Sequence, residues 1–347
     1  MRGQCPTSLT TPRDGTQAGL DAEGMLTRTA LALIMSDRDV ELGWARVHRR
    51  ATLPSFGASL LFADSNHSEW GVHACCQGQQ LGETRATAQQ KLERVIPLAA
   101  TLFRQKFGEM AEFNWFVFSE TDTWWQPDTL ARFLVYFESE LKNFTAPSSA
   151  WPSFGLHAQR PLVTGGGVPS GFHVHGPFII MSKAALQWVL QPGVWAWCRR
   201  GMEQESRLNP LVSPRLKRWV SPDIEYHNDD LLSLCFWPRR FASNEFLREL
   251  PPWRQREDDE QQTPVQIENH LCLDEWTAKD IFKFPFANFF FDGGPVVDLL
   301  STLRARPCDL QRALRQVVAL HHVGLAHVRQ LQSIVHMAST CRPDRPH

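Results

Sequence analysis

One stretch limits the possible folds of this chain more than any other: Phe113-Asn-Trp-Phe-Val-Phe-Ser-Glu-Thr-Asp-Thr-Trp-Trp-Gln-Pro-Asp-Thr129. Its apolar run, Trp115 to Phe118, is too short for a surface helix and is rich in aromatic and β-branched residues. That composition predicts a buried strand, central in a parallel sheet. The run stops at Ser119-Glu120-Thr121-Asp122-Thr123. In an extended chain residues i and i+2 point the same way, so Glu120 and Asp122 are expected to leave the strand end together. Ligands of open α/β sheets bind just beyond the carboxyl ends of the strands. A carboxylate pair there suits a hard divalent cation, Mg²⁺ or Mn²⁺, shared with a phosphate. The same residues also fit an ordinary turn, with Thr123 or Asp128 capping the helix that follows.

The flanking sequence predicts what this strand belongs to. Thr29 to Met35 reads as a first strand, Val40 to Arg50 as a helix, and Gly57 to Ala63 as a second strand stopping at Asp64. Strand, helix, strand is the βαβ unit of a nucleotide-binding half-sheet. No GxGxxG or Walker loop accompanies it, which argues against a dinucleotide enzyme or a P-loop ATPase. Residues 85–110 carry Leu92, Val95, Ile96, Ala99, Leu102 and Phe103 at helical spacing. Pro97 inside that pattern is expected to kink or interrupt the helix. Pro127 opens another helix, with Leu130, Phe133, Leu134 and Phe137 on its core face.

Further along, Thr164 to Gly171 is a glycine run that fits a mobile loop, a close backbone approach to a ligand, or a plain surface connection. His173 and His175 share a face if extended, though a loop role is the commoner one for such a pair. Phe178 to Met181 reads as a short strand, and Ser182 as the cap of a helix over Ala184 to Leu190. Asp229 and Asp230 open a helix with Leu231, Leu232 and Leu234 behind them; acid there also fits a simple cap. Arg256 to Gln262 lies in a charged loop or lid, residues 255–264. Val265 to Asn269 and Val317 to Leu320 are strand candidates that end in His270 and in His321-His322.

Composition narrows the classes. The 347 residues are 43% hydrophobic, enough for a substantial core, with a net charge of −1 that provides no bulk field for nucleic acid. The 13 Trp and 22 Phe against two Tyr are expected mostly in that core. Eight Cys show neither CxxC nor Cys/His zinc spacing, so they permit disulfides without indicating a zinc site. Asn66-His-Ser68 and Asn143-Phe-Thr145 are glycosylation sequons. No window approaches the roughly 18 apolar residues of a membrane span. Residues 1–25 read as a disordered polar leader, 26–335 as a single domain and 336–347 as a tail; neither signal peptide nor anchor is expected in this chain.

In their order along residues 28–330, these motifs resemble the glycosyltransferase 31 family of inverting β-1,3-glycosyltransferases, the group of Fringe and core 1 galactosyltransferase, and its fungal branch most closely. The shared features are a Pro-containing helix and a Trp-Phe strand ending in Glu120-Thr-Asp122-Thr, where the fungal motif reads Glu-Ala-Asp-Thr. A turn then leads into Gly176-Pro-Phe-Ile-Ile-Met-Ser-Lys-Ala-Ala185, followed by the acidic helix start Asp229-Asp230-Leu231 and a late strand carrying a His. The resemblance implies a GT-A-like Rossmann-type α/β/α sandwich with a mostly parallel central sheet. It implies a UDP-sugar donor, Mn²⁺ (or Mg²⁺), a glycan or glycoprotein acceptor, and a Golgi or secretory-pathway setting. Asp122 would hold the metal on the diphosphate with Glu120 beside it; Asp230, or else Asp229, would be the general base. Asp64 and Gly176 would lie against the nucleotide, and the late His would be His270 or His321. Three departures stand out: Phe178 and Leu234 replace family glycines, and Trp124-Trp125 replace Tyr-Val as a possible acceptor platform. Two other readings stay open, a non-catalytic carbohydrate-binding or scaffold relative and a metal-dependent phosphohydrolase.

Overall fold

The computed structural model describes residues 24–35, 38–63, 65–75, 87–108, 113–144, 163–166, 175–198, 200, 232, 287–290, 317–321 and 323–336. Its strands are β1 (Thr29–Ile34), β2 (Ala58–Ala63), β3 (Val72–Ala74), β4 (Trp115–Glu120), β5 (Trp124–Trp125), β6 (Val163–Gly166), β7 (His175–Ser182), β8 (Ala287–Phe290) and β9 (Val317–His321). The helices α1 (Arg38–Ala51), α2 (Thr87–Phe107), α3 (Pro127–Phe144), α4 (Lys183–Val189) and α5 (Leu325–His336) accompany them.

Among the described residues the main sheet has six strands, in the order β3-β2-β1-β4-β7-β6. β3, β2, β1 and β4 run parallel, β7 is antiparallel to β4, and β6 is antiparallel to β7. Only β7 is therefore reversed, and the expected mostly parallel α/β sheet is the one observed. Both of its faces are buried, which is why the strands read as nearly continuous apolar runs. Alternation sorts their side chains into two cores. Ala30, Ala32, Phe116, Phe118, Ile179 and Met181 pack on one face with Leu92, Val95 and Ile96 of α2 and Leu186 of α4. Leu31, Leu33, Trp115, Val117 and Ile180 pack on the other with Ala45 of α1 and Leu130, Phe133 and Leu134 of α3. Helices on both faces of one sheet make the three-layer α/β/α sandwich.

The route of the chain matters for function. From β1 it passes through α1 to β2 and β3 on one side, then returns through α2 to β4 on the other side of β1. α1 and α2 lie on opposite faces, since they pack into different cores. The gap between the carboxyl ends of β1 and β4 is thus a topological switch point, where open α/β sheets bind ligands.

Several expectations need correction. Pro97 does not interrupt α2, which runs through it as one helix. Val95, Ile96, Ala99 and Phe103 are buried around it, so packing offsets the hydrogen bond that proline removes. β4 extends two residues past Phe118, because Ser119 and Glu120 still pair with Leu33 and Ile34 of β1. Gly165 and Gly166 are not loop residues but belong to β6, paired to β7 with a register shift between them. The strand expected over Val265 to Asn269 lies outside the described residues.

Candidate active site at the carboxyl end of the sheet

The acidic turn closes β4 at the switch point. Glu120 is the last residue of β4, paired with Ile34 and 9% exposed. Thr123 N donates to Glu120 O at 3.2 Å, so residues 120–123 form a hydrogen-bonded β-turn. Glu120 sits on the strand and Asp122, half-buried, on the turn, so the two do not both lie on the one extended segment that the sequence expectation assumed. A chain reversal within four residues breaks the alternation on which that expectation rested.

A second small sheet, β5-β9-β8, packs the turn from outside. Trp124 pairs with Leu320 and Trp125 with Ala319. One rung further, His321 lies level with Thr123, and Val323 N donates to Asp122 O at 2.9 Å. The late strand carrying His321 therefore ends beside the acidic turn, whereas His270 lies outside the described residues. Trp124 and Trp125 are 3% and 2% exposed, and Trp125 Nε1 donates to Ser119 Oγ at 3.1 Å. They are core residues holding the second sheet, not an exposed platform. Thr123 is likewise no helix cap: β5 intervenes, and α3 starts at Pro127, whose missing N–H costs nothing at a first helical position.

β7 reaches the same edge from the opposite direction. Phe178 pairs with Ser119, so Gly176 lies two residues further along, level with the turn. Gly166 at the end of β6 pairs with His175 at the start of β7. Ser182, at the far end of β7, caps α4 as its sequence predicts, its Oγ accepting from Ala185 N at 3.2 Å. Asp64, Asp229, Asp230 and His173 lie outside the described residues. Among the described residues no three His, Cys, Asp or Glu side chains gather closely enough to hold a metal alone.

Two side chains that sequence reasoning passed over reach this edge. Lys91 of α2 is fully buried, and its Nζ donates to Met35 O at 2.9 Å, just beyond β1. His48 of α1 is buried beneath the turn, with Nε2 2.6 Å from Thr121 O and Nδ1 3.1 Å from Thr52 Oγ1. Its ring stacks on Trp44 with centroids 5.6 Å apart. Burial pushes the His48 pKa down to about 4, against the opposing pull of the Thr121 carbonyl and the Asp122 charge. The sequence carries no signal that singles out either one, since a basic residue on an amphipathic helix is ordinarily on its wet face.

No protein-family model matches the chain, and no curated protein matches it. One matching solved structure is described as a glycosyltransferase involved in the glycosylation of the major capsid of PBCV-1. It is 10% identical, covers 88% of this chain and 99% of its own, and superposes with a TM-score of 0.32. A similarity that low carries no weight for fold or function.

Proposed function

We propose that this chain is an inverting glycosyltransferase that moves a sugar from a UDP-sugar donor to a hydroxyl of a glycan or glycoprotein, with β-1,3 linkage. What carries the reading is the convergence at the switch point. The Glu120–Asp122 turn, the end of the His321-bearing strand and the Gly176 approach all come to the carboxyl edge between β1 and β7. The sequence resemblance assigned its site to these same segments.

The donor set fits a hard cation. Carboxylate oxygens of Asp122 and Glu120 suit Mn²⁺ or Mg²⁺ completed by diphosphate oxygens, rather than an all-protein cage. Bound there, the cation would offset charge on the departing UDP. His321 is a candidate for the late ligand because its strand ends beside Asp122; His270, the other, lies outside the described residues. Gly176 gives the nucleotide a side-chain-free stretch of backbone to approach. Asp230, with Asp229 as the lesser candidate, would take the proton from the acceptor hydroxyl as that oxygen attacks the anomeric carbon opposite the UDP. A single displacement inverts the configuration.

A secretory-pathway setting has two supports. Asn66 of the first sequon is exposed, and Cys198 is disulfide-bonded, as expected of an oxidising compartment. No helix among the described residues is long and apolar enough to cross a membrane.

The test is UDP release with Mn²⁺, a panel of UDP-sugars and a panel of glycan acceptors. Asp230→Asn should keep Mn²⁺-dependent UDP binding and lose transfer by about 100-fold or more, since general base catalysis typically contributes 10² to 10⁴. Near-full transfer by Asp230→Asn would refute the base assignment. Phosphate release from nucleotides without an acceptor would point instead to a phosphohydrolase, and UDP binding without turnover to a non-catalytic relative.

A further inference from the structure

Three successive backbone carbonyls of the acidic turn, Glu120 to Asp122, are each held by a hydrogen bond from a different segment. Glu120 O accepts from Thr123 N within the turn, and Asp122 O accepts from Val323 N, between β9 and α5. Thr121 O is met by His48 Nε2 from α1, 73 residues away in sequence. A carbonyl oxygen only accepts, so Nε2 carries the hydrogen of that contact. Nδ1 faces the Thr52 hydroxyl at 3.1 Å, so both ring nitrogens are committed and the imidazole is not itself a metal ligand.

We infer that His48 is a positioning residue for the Asp122 carboxylate, acting by clamping the peptide plane between Thr121 and Asp122. That plane is the base from which the Asp122 side chain departs. Fixing it in advance limits the directions in which the carboxylate is presented, the role that outer-shell partners play for metal ligands. The reach is specific in kind: the contact needs an N–H donor at the far end of a rigid ring. Trp44 stacked on the ring and Thr52 at Nδ1 hold that donor on line. The inference rests on the reading that Asp122 holds a divalent cation.

Two substitutions separate clamping from packing. The amide of His48→Gln reaches the place of Nε2, whereas that of His48→Asn reaches only the place of Nδ1. In the full chain, His48→Asn should weaken Mn²⁺-dependent UDP binding about tenfold or more, and His48→Gln should restore it to within about threefold. Equal losses in both variants, or wild-type binding by His48→Asn, would overturn the inference. A second arm needs no metal. Nitrogen NMR of the metal-free wild type should show the Nε2–H tautomer, and the Thr123 and Val323 amides should exchange faster in His48→Asn than in His48→Gln. The other tautomer, or identical exchange, overturns the clamp whatever the metal does. If the exchange difference appears but the wild type binds no Mn²⁺–UDP, the cation reading falls and the clamp on the turn stands.

Discussion

A buried imidazole kept neutral makes folding sensitive to acid. In the unfolded chain His48 takes up a proton near its ordinary 6.5, but in the fold not until about 4. Between those values the unfolded chain binds more protons, so stability rises with pH across that window and is flat above it. The full loss on going down to the lower value is on the order of 3 kcal/mol, from about 1.4 kcal/mol per pH unit. Half-buried His73 adds to the same trend, its pKa lowered by burial and by the nearby Lys106 charge. Denaturant melts of the metal-free protein from pH 7 to pH 4.5 should show this decline, and His48→Gln should flatten most of it. An unchanged decline in that variant would place the sensitivity elsewhere. Neither His48 nor Lys91 was legible as a site residue from sequence. Charge is written in the sequence, but burial is not, and a basic residue on an amphipathic helix is ordinarily on its wet face.

At the scale of elements, two glycines mark where backbones meet. A Cβ on Gly57 would lie 1.8 Å from Thr27 O, a backbone atom with no room to yield. Gly57→Ala should therefore destabilise by roughly 2 kcal/mol or more, the cost of forcing packed segments apart, read as a fall in melting temperature. On Gly43 of α1 the nearest atom is Leu325 Cδ1 of α5, at 2.9 Å. That flexible side chain can turn aside, and alanine gains about 1 kcal/mol of helix propensity. Gly43→Ala should then shift stability by less than Gly57→Ala, and the reverse order would contradict the packing described. The long elements were legible because their patterns were strong: β1, β2 and β4 are nearly continuous apolar runs, and α2 and α3 keep helical spacing over several turns. β5, two residues long, was not. Trp124-Trp125 read as an acceptor platform because a strand that short has no period; its pairing with β9 is set some 200 residues away in sequence.

For the whole molecule, the telling fact is the order β3-β2-β1-β4-β7-β6, in which the chain reverses direction across the sheet beside β1. The motifs suggested a half-sheet and a site at its strand ends, and the acidic turn does end β4 at that reversal. What periodicity and spacing leave open is which distant segments share the edge. His321 and His270 were both candidates in sequence; the pairing of β9 with β5 brings the end of the His321 strand to the turn, and His270 lies outside the described residues. The central claim is that this turn holds a nucleotide diphosphate through a divalent cation. Calorimetric titration of UDP into the full chain, with Mn²⁺ and with EDTA, tests it most directly when repeated on Asp122→Ala. Binding that requires Mn²⁺ and disappears in Asp122→Ala is the predicted result; binding indifferent to Mn²⁺, or retained in that variant, would contradict it.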